Sequence, residues 1–386
     1  MGKRILDFLY FCISKSYFMR QLLAFILCFS LLVSCNLRQQ KANEEIGETG
    51  FKYARNITME HKDGYVVVKL LNPWKKGTIL QTYYLMPRNV ESENISDGVR
   101  VDVPIQRSVV FTTAHANLLE MLHAQKAIVG VADLKYMLIP DVQQRVRKGE
   151  IANCGESMKP DVEHIIDLKP DAILLSPFEN SGGYGRLEEI GVPIIECADY
   201  MERSALGRAE WMKFYGMLYG REHEADSLFA VVEQNYKALS AKAKKSKVKR
   251  SVLPDRKVGA VWYLPGGESS VGLLYKDANG SYAYAQDKHS GSLSIPFETI
   301  LDKFGDSDFW ILCYNGNFSL NTLLAEYQGY RALKPYKTGE VYGCKVDSTP
   351  YFEEVSWRPD WLLSDLIQLF HPNLHLGAMR YYKKLK

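Results

Sequence analysis

Three sets of residues in this sequence have types and spacings suited to chemistry. The first is Cys35, which closes Leu32-Val33-Ser34-Cys35 behind an almost unbroken apolar run from Leu22. A thiol directly behind such a run and a small residue is a candidate for covalent modification. The second is a pair of glutamates in near-duplicate segments. Glu163-His-Ile-Ile-Asp167 leads into Leu-Lys-Pro-Asp171 and an apolar run, and Glu298-Thr-Ile-Leu-Asp302 leads through a turn into Asp308 and another. Pro160 and Pro296 stand just ahead of them. Each Glu therefore falls in the first turn of a predicted helix, where the dipole favours a carboxylate and the side chain stays exposed. The third is a group of aromatic and polar residues at the ends of apolar runs: Thr113, His115, Phe178, Tyr184 and Tyr200, then Trp262, Tyr263 and Tyr314. Aromatics offer broad, rigid surface to a flat ligand at low entropy cost. His115 alone among them has a metal-ligating side chain. His164, His289 and His371 share no tight spacing with it, so no bare-metal site is expected.

The elements that carry these residues can be read from the pattern. Leu22 to Val33 is too short to span a bilayer comfortably and fits a signal-peptide core. Its end is similar to a bacterial lipobox, and Met19-Arg20 makes a conventional lipoprotein start. Residues 1–34 are thus read as a signal peptide and 35–50, polar and unpatterned, as a tether. The alternation from Asn56 to Pro87, with an Asp63-Gly64 turn, predicts a β-rich extension over 51–106. From 107 to 206 short apolar strands alternate with helical stretches, the pattern of βα units on a parallel sheet. Residues 207–250 are helical, broken at Gly220. Beyond it Ala225, Leu228, Phe229, Val232, Tyr236 and Leu239 form one apolar stripe. A helix over 221–246 would be roughly 39 Å long, a strut between two lobes. Its basic end, Lys242 to Arg250, suits a helix C-terminus. A second α/β series fills 251–386. The fold class is therefore α/β: two lobes with mostly parallel sheets, joined by one long helix, after a β-rich extension.

Composition limits the function. The chain has 386 residues, 46% of them hydrophobic and 24% charged, which suits two globular units. Its net charge of +3 comes from Lys3, Arg4, Lys15 and Arg20 in the signal region. The neutral body argues against nucleic-acid binding. The sequence contains no His-Glu-x-x-His, Gly-x-Ser-x-Gly, Walker A or Cys-x-x-Cys motif, so an enzyme is not expected. Cys154, Cys197, Cys313 and Cys344 remain after Cys35. Apolar runs around Cys197 and Cys313 favour buried free thiols. Disulfides, if formed, would pair Cys154–Cys197 and Cys313–Cys344.

Several stretches together resemble the cobalamin, ferric-siderophore and haem class of ABC-transporter substrate-binding proteins. They are Val103-Pro-Ile-Gln-Arg-Ser-Val-Val110, Leu119 to Val131, Gly155 to Leu175 with Lys169-Pro170-Asp171, Gly191-Val-Pro193, Gly220-Arg-Glu-His-Glu-Ala225, Asp277-Ala-Asn-Gly280 and His371-Pro-Asn373. Asn279 stands where that family has Gly, and Pro73 to Asn89 adds a hairpin outside its pattern. The resemblance implies an extracytoplasmic, lipid-anchored binding protein with no intrinsic cofactor. Its ligand would be a cobalamin, ferric siderophore or haem held in the inter-lobe cleft. Its partner would be an ABC permease dimer with its ATPase, docked through Glu163 and Glu298. A single strut implies a stiff connection. The cleft wall of the second lobe is expected from Trp262 and Tyr263, ahead of Pro265-Gly266-Gly267. The alternatives are a haem- or metal-binding lipoprotein using His115, and a surface hydrolase.

Overall fold

The computed structural model describes residues 50–88, 90, 95, 97–179 and 183–386. Cys35, the apolar run before it and the tether lie outside the described residues. Among the described residues no helix is long and apolar enough to cross a membrane. Phe51–Lys386 forms one compact unit.

Alternating residues build the extension. Strands β1 (Ile57–Lys62), β2 (Tyr65–Leu71), β3 (Ile79–Pro87) and β4 (Val99–Val103) pair in that order, with β3 and β4 parallel. Val68, Leu70, Tyr83, Leu85 and Val101 are buried, as the two-residue period of a strand requires of one face. Tyr83 ties this sheet to the next. Its hydroxyl donates to Ile194 O (2.9 Å) and accepts from the Glu196 N–H (2.8 Å), standing in for a neighbouring strand at an otherwise open edge.

That edge belongs to the first lobe. β5 (Ser108–Val110), β6 (Ile128–Val131), β7 (Ala152–Asn153), β10 (Ala172–Leu175) and β11 (Ile194–Glu196) form a parallel sheet in the order β11-β10-β5-β6-β7. A two-residue hairpin, β8 (Gly155–Glu156) with β9 (Lys159–Pro160), follows β7. The continuous apolar runs of β5 and β10 are fully buried, as in sheets covered on both faces. In the second lobe β12 (Val252–Pro254), β16 (Phe309–Tyr314) and β17 (Val341–Lys345) are parallel and β18 (Lys383–Lys384) is antiparallel. A separate antiparallel sheet holds β13 (Lys257–Val258), β14 (Val261–Pro265) and β15 (Ser292–Ile295).

The near-duplicate segments have the same place in the two lobes. The helix Val162–Leu168 precedes β10, which lies between β5 and β11; the helix Phe297–Phe304 precedes β16, which lies between β12 and β17. The repeated aspartate has one structural reason in both. Asp171 Oδ2 accepts the N–H groups of Gln106 (2.8 Å) and Arg107 (2.9 Å), just ahead of β5. Asp308 Oδ2 accepts the Ser251 N–H (2.8 Å), just ahead of β12. Each satisfies backbone donors where a first strand begins.

Gly220 ends the helix Met212–Tyr219 with φ of 63°, a left-handed cap that favours glycine. The strut then runs from Glu222 to Lys244, 23 residues and about 34 Å at 1.5 Å per residue. It buries Ala225, Phe229, Val232 and Tyr236. Asn235 donates to Asp360 (3.1 Å) and the Tyr236 hydroxyl to Asp277 (2.7 Å), both in the second lobe. Lys52, ahead of β1, pairs with Glu233 at 2.5 Å.

Candidate functional site

In open α/β sheets ligands bind beyond the carboxyl ends of the strands. At this level of the first lobe lies a pocket of about 360 Å³, lined by Phe111, Thr112, Ser157, Met158, Pro160, Leu175, Ser176, Phe178, Gly183, Tyr184 and Leu187. Thr112 is the N-cap of the helix Thr113–Met121. Ser157 and Met158 form the turn between β8 and β9; Ser157 bonds Asp133, and Met158 is 81% exposed. Phe178 is 48% exposed. No Asp, Glu, Lys, Arg or His lines the pocket among the described residues. The arrangement is an apolar recess with hydroxyls at its margin, suited to an uncharged ligand surface.

Phe178 and Tyr184 are the two expected site residues that the structure brings together here. The Tyr184 hydroxyl donates to Glu196, and burial is the largest cause holding this phenol well above its usual range. Tyr200 stands alongside, its hydroxyl donating to Pro177 O (2.5 Å). Tyr263 is half-exposed in the second lobe. Tyr314, at the end of β16, stacks on Phe318 with ring centres 5.1 Å apart. Ser157, Met158 and Ser176 were missed, although the Gly155-to-Pro160 turn places an exposed methionine at a strand exit.

His115 is not an open ligand position. It is 3% exposed and both ring nitrogens are engaged: Nδ1 with Thr112 Oγ1, and Nε2 with Asp199 Oδ1 (2.8 Å) and the Tyr215 hydroxyl (2.9 Å). The expectation that it ligates haem or a metal is corrected on this ground. Among the described residues no three His, Cys, Asp or Glu side chains converge to hold a metal ion. Burial opposes the charged ring, but the facing Cys197 sulfur and the Asp199 carboxylate hold its proton up to about 10. A pKa raised from 6.5 stabilises the fold below the unfolded value, and this contribution is lost as pH rises through about 10. Relative to His115→Gln, wild type is therefore expected to lose stability between pH 6.5 and 10, by an amount on the order of a few kcal/mol. Parallel urea titrations across that range would contradict this if the difference stayed constant.

Trp262 is also corrected. It is fully buried, its Nε1 donates to Pro254 O (2.8 Å), and its ring packs on Trp310 and Tyr330. The reason is strand parity: β14 pairs with β15 on one side and β13 on the other, so Trp262 turns inward and Tyr263 outward. Gly266 and Gly267 serve packing as well. A Cβ at Gly266 would lie 2.2 Å from His289 O, and one at Gly267 would lie 2.4 Å from Tyr284 O. They admit the following loop rather than a ligand.

Thr113 belongs to a second inter-lobe tie. Its hydroxyl donates to Glu353 Oε1 (2.8 Å), which also accepts the Leu138 N–H (3.0 Å). Asn117 donates to Glu353 O (2.9 Å), and Trp357 Nε1 donates to Ala114 O (2.7 Å). Glu353 is 2% exposed. Strut and tie together oppose hinge closure, so solution scattering profiles with and without ligand are expected to superimpose. A compaction on ligand addition would contradict this.

Glu163 is exposed and paired with Arg186; Glu298 is exposed. Residues 169–171 and 305–308 are short links, so each helix runs back along its strand. Both glutamates therefore start their helices at the level of the strand exits. Cys154, Cys197, Cys313 and Cys344 are free thiols, with Cys313 and Cys344 opposite each other on β16 and β17.

Two α/β lobes are joined by one helical strut, with a recess at the strand exits of the first. The chain belongs to the periplasmic binding protein family, whose model matches residues 109–347. An uncharacterized lipoprotein of Methanocaldococcus jannaschii is 26% identical, over 86% of this chain and 84% of its own length. Among solved structures, a periplasmic binding protein from Veillonella parvula matches with a TM-score of 0.58 and 15% identity, covering 80% of this chain and 99% of that one. An ABC-type Fe3+-hydroxamate transport system protein from Saccharomonospora viridis matches with a TM-score of 0.54 and 18% identity, covering 70% and 94%.

Proposed function

We infer that this protein is the extracytoplasmic, lipid-anchored receptor of an ABC importer, and that it captures a metal chelate, a corrinoid or ferric siderophore, at the strand exits. The observation that carries the reading is the duplication: one exposed glutamate opens the equivalent helix of each lobe, and a recess lies at the strand exits of the first. A protein with two equivalent acidic positions suits a two-fold partner, and charge complementarity of this kind steers encounter and fixes register. Phe178, Tyr184 and Met158 supply the apolar wall for the chelate, with Tyr263 and Tyr314 on the other lobe. Likeness to the hydroxamate-transport structure supports the ligand class through fold only.

Cys35 holds the protein at the membrane in this reading. A diacylglycerol with a further acyl chain anchors stably where one chain does not. Cys35→Ser is expected to accumulate as unprocessed precursor. Processing of the variant at the same site, with membrane partitioning like wild type, would remove the anchor from the account. The function is tested by deleting the gene and measuring cell-associated chelate. Uptake at limiting concentrations of a corrinoid or ferric siderophore should fall and return with the intact gene; unchanged uptake across that panel would contradict it.

A further inference from the structure

A second cavity, about 470 Å³, lies against the first, and the two share Phe178, Gly183 and Tyr184. One of its walls comes from the β extension, through Asn72, Trp74, Lys75 and Leu80. The turn that presents them is well built. Asn72 Oδ1 accepts the N–H groups of Trp74 (3.0 Å) and Lys75 (2.9 Å), and the Asn72 N–H reaches Thr78 O at 2.9 Å. Trp74 is held half-buried. The first lobe contributes Glu179, Glu188 and Glu196 to the same lining. Glu188 takes the Tyr184 N–H at 2.7 Å, and Glu196 takes the Tyr184 hydroxyl. The two cavities therefore differ in chemistry. Among the described residues the first has no Asp, Glu, Lys, Arg or His in its lining, whereas the second has three carboxylates and one lysine, with the aromatic side chains of Trp74, Phe178 and Tyr184.

We propose that the adjoining cavities hold two parts of one ligand: the uncharged head of a chelate in the first, and a cationic amine arm of that chelate in the second, between Trp74 and the carboxylates. The proposal rests on the reading that the strand exits take a chelate. An ammonium is attracted both by an indole face and by carboxylates, whereas an anionic arm would meet like charge. The extension is then a specificity element, since Trp74 and Lys75 reach the site from outside the two lobes.

The test uses two iron(III) trihydroxamates that differ in this feature. Ferrioxamine B is linear and carries a free ammonium; ferrioxamine E is cyclic and has none. Affinities for the mature lipid-free chain would be measured by calorimetry. The B form should bind roughly tenfold tighter than E, the range a desolvated cation contact with an aromatic face and carboxylates allows. Trp74→Ala and the pair Glu179→Gln with Glu188→Gln should each erase most of that preference and leave E unchanged. Should Trp74→Ala fail to fold, the glutamine pair, on exposed side chains, decides. Equal binding of B and E by wild type, or variants that weaken both alike, would overturn the proposal. Binding of cyanocobalamin or haemin with neither ferrioxamine would overturn it and leave the chelate reading intact. If none of these chelates binds, the chelate reading itself fails, and this proposal with it.

Discussion

Truncating Trp262 to alanine is expected to cost the protein about 3–5 kcal/mol of stability and to leave ligand affinity where it was. The side chain is fully buried between Trp310 and Tyr330, with ring centres 5.5 and 5.7 Å away. Removing it leaves a cavity among rigid aromatic neighbours that collapse poorly. It also strips the Pro254 carbonyl of its donor, and an unsatisfied buried acceptor costs about 1–3 kcal/mol. Tyr263→Ala is the control: the next residue along β14 is 47% exposed, so its loss should change stability by well under about 1 kcal/mol. Denaturant melts and ligand titrations on both variants decide the matter. A Trp262→Ala protein with near-native stability and weakened affinity would return Trp262 to the binding surface.

Reversing both acidic positions, Glu163→Lys with Glu298→Lys, is expected to abolish uptake while ligand binding persists. Like charges brought together at an interface cost several kcal/mol, on the order of a hundredfold or more in complex formation. Neither side chain contributes to the core, so the fold should be indifferent. Glu163 gives up its pair with Arg186, but both partners are about two-thirds exposed, where such pairs contribute little. Because the helices are equivalent in the two lobes, the single variants should each weaken docking and the double variant should weaken it further. Normal uptake by the double variant would show that the partner contacts another surface.

The fold was legible where local pattern and burial agree. The apolar runs of β5, β10 and β16, the break at Gly220 and the stripe on the strut are all one-dimensional signals. The duplicated Glu-to-Asp segments were readable too, and the structure adds their cause in Asp171 and Asp308, which satisfy the backbone ahead of β5 and β12. The site was less legible because its decisive partners are remote in sequence. His115 looks like an available ligand until Asp199 and Tyr215 are found against it. Whether Trp262 or Tyr263 faces inward depends on pairing with Ile295 and Ser294, about thirty residues on. The Glu353 tie joins residues more than two hundred positions apart. Trp74 sits in a turn whose importance depends on the lobe that it meets.

The central claim is that this chain binds a chelate and delivers it unchanged. Its most direct test is a titration of the mature lipid-free protein with cobalamin and a set of ferric siderophores, followed by recovery and mass analysis of the ligand. The account predicts saturable binding of one chelate per chain, competed by related chelates and abolished by Phe178→Ala with Tyr184→Ala, with the ligand recovered intact. Absence of saturable binding across the set, or recovery of a chemically altered ligand in excess of protein, would contradict it.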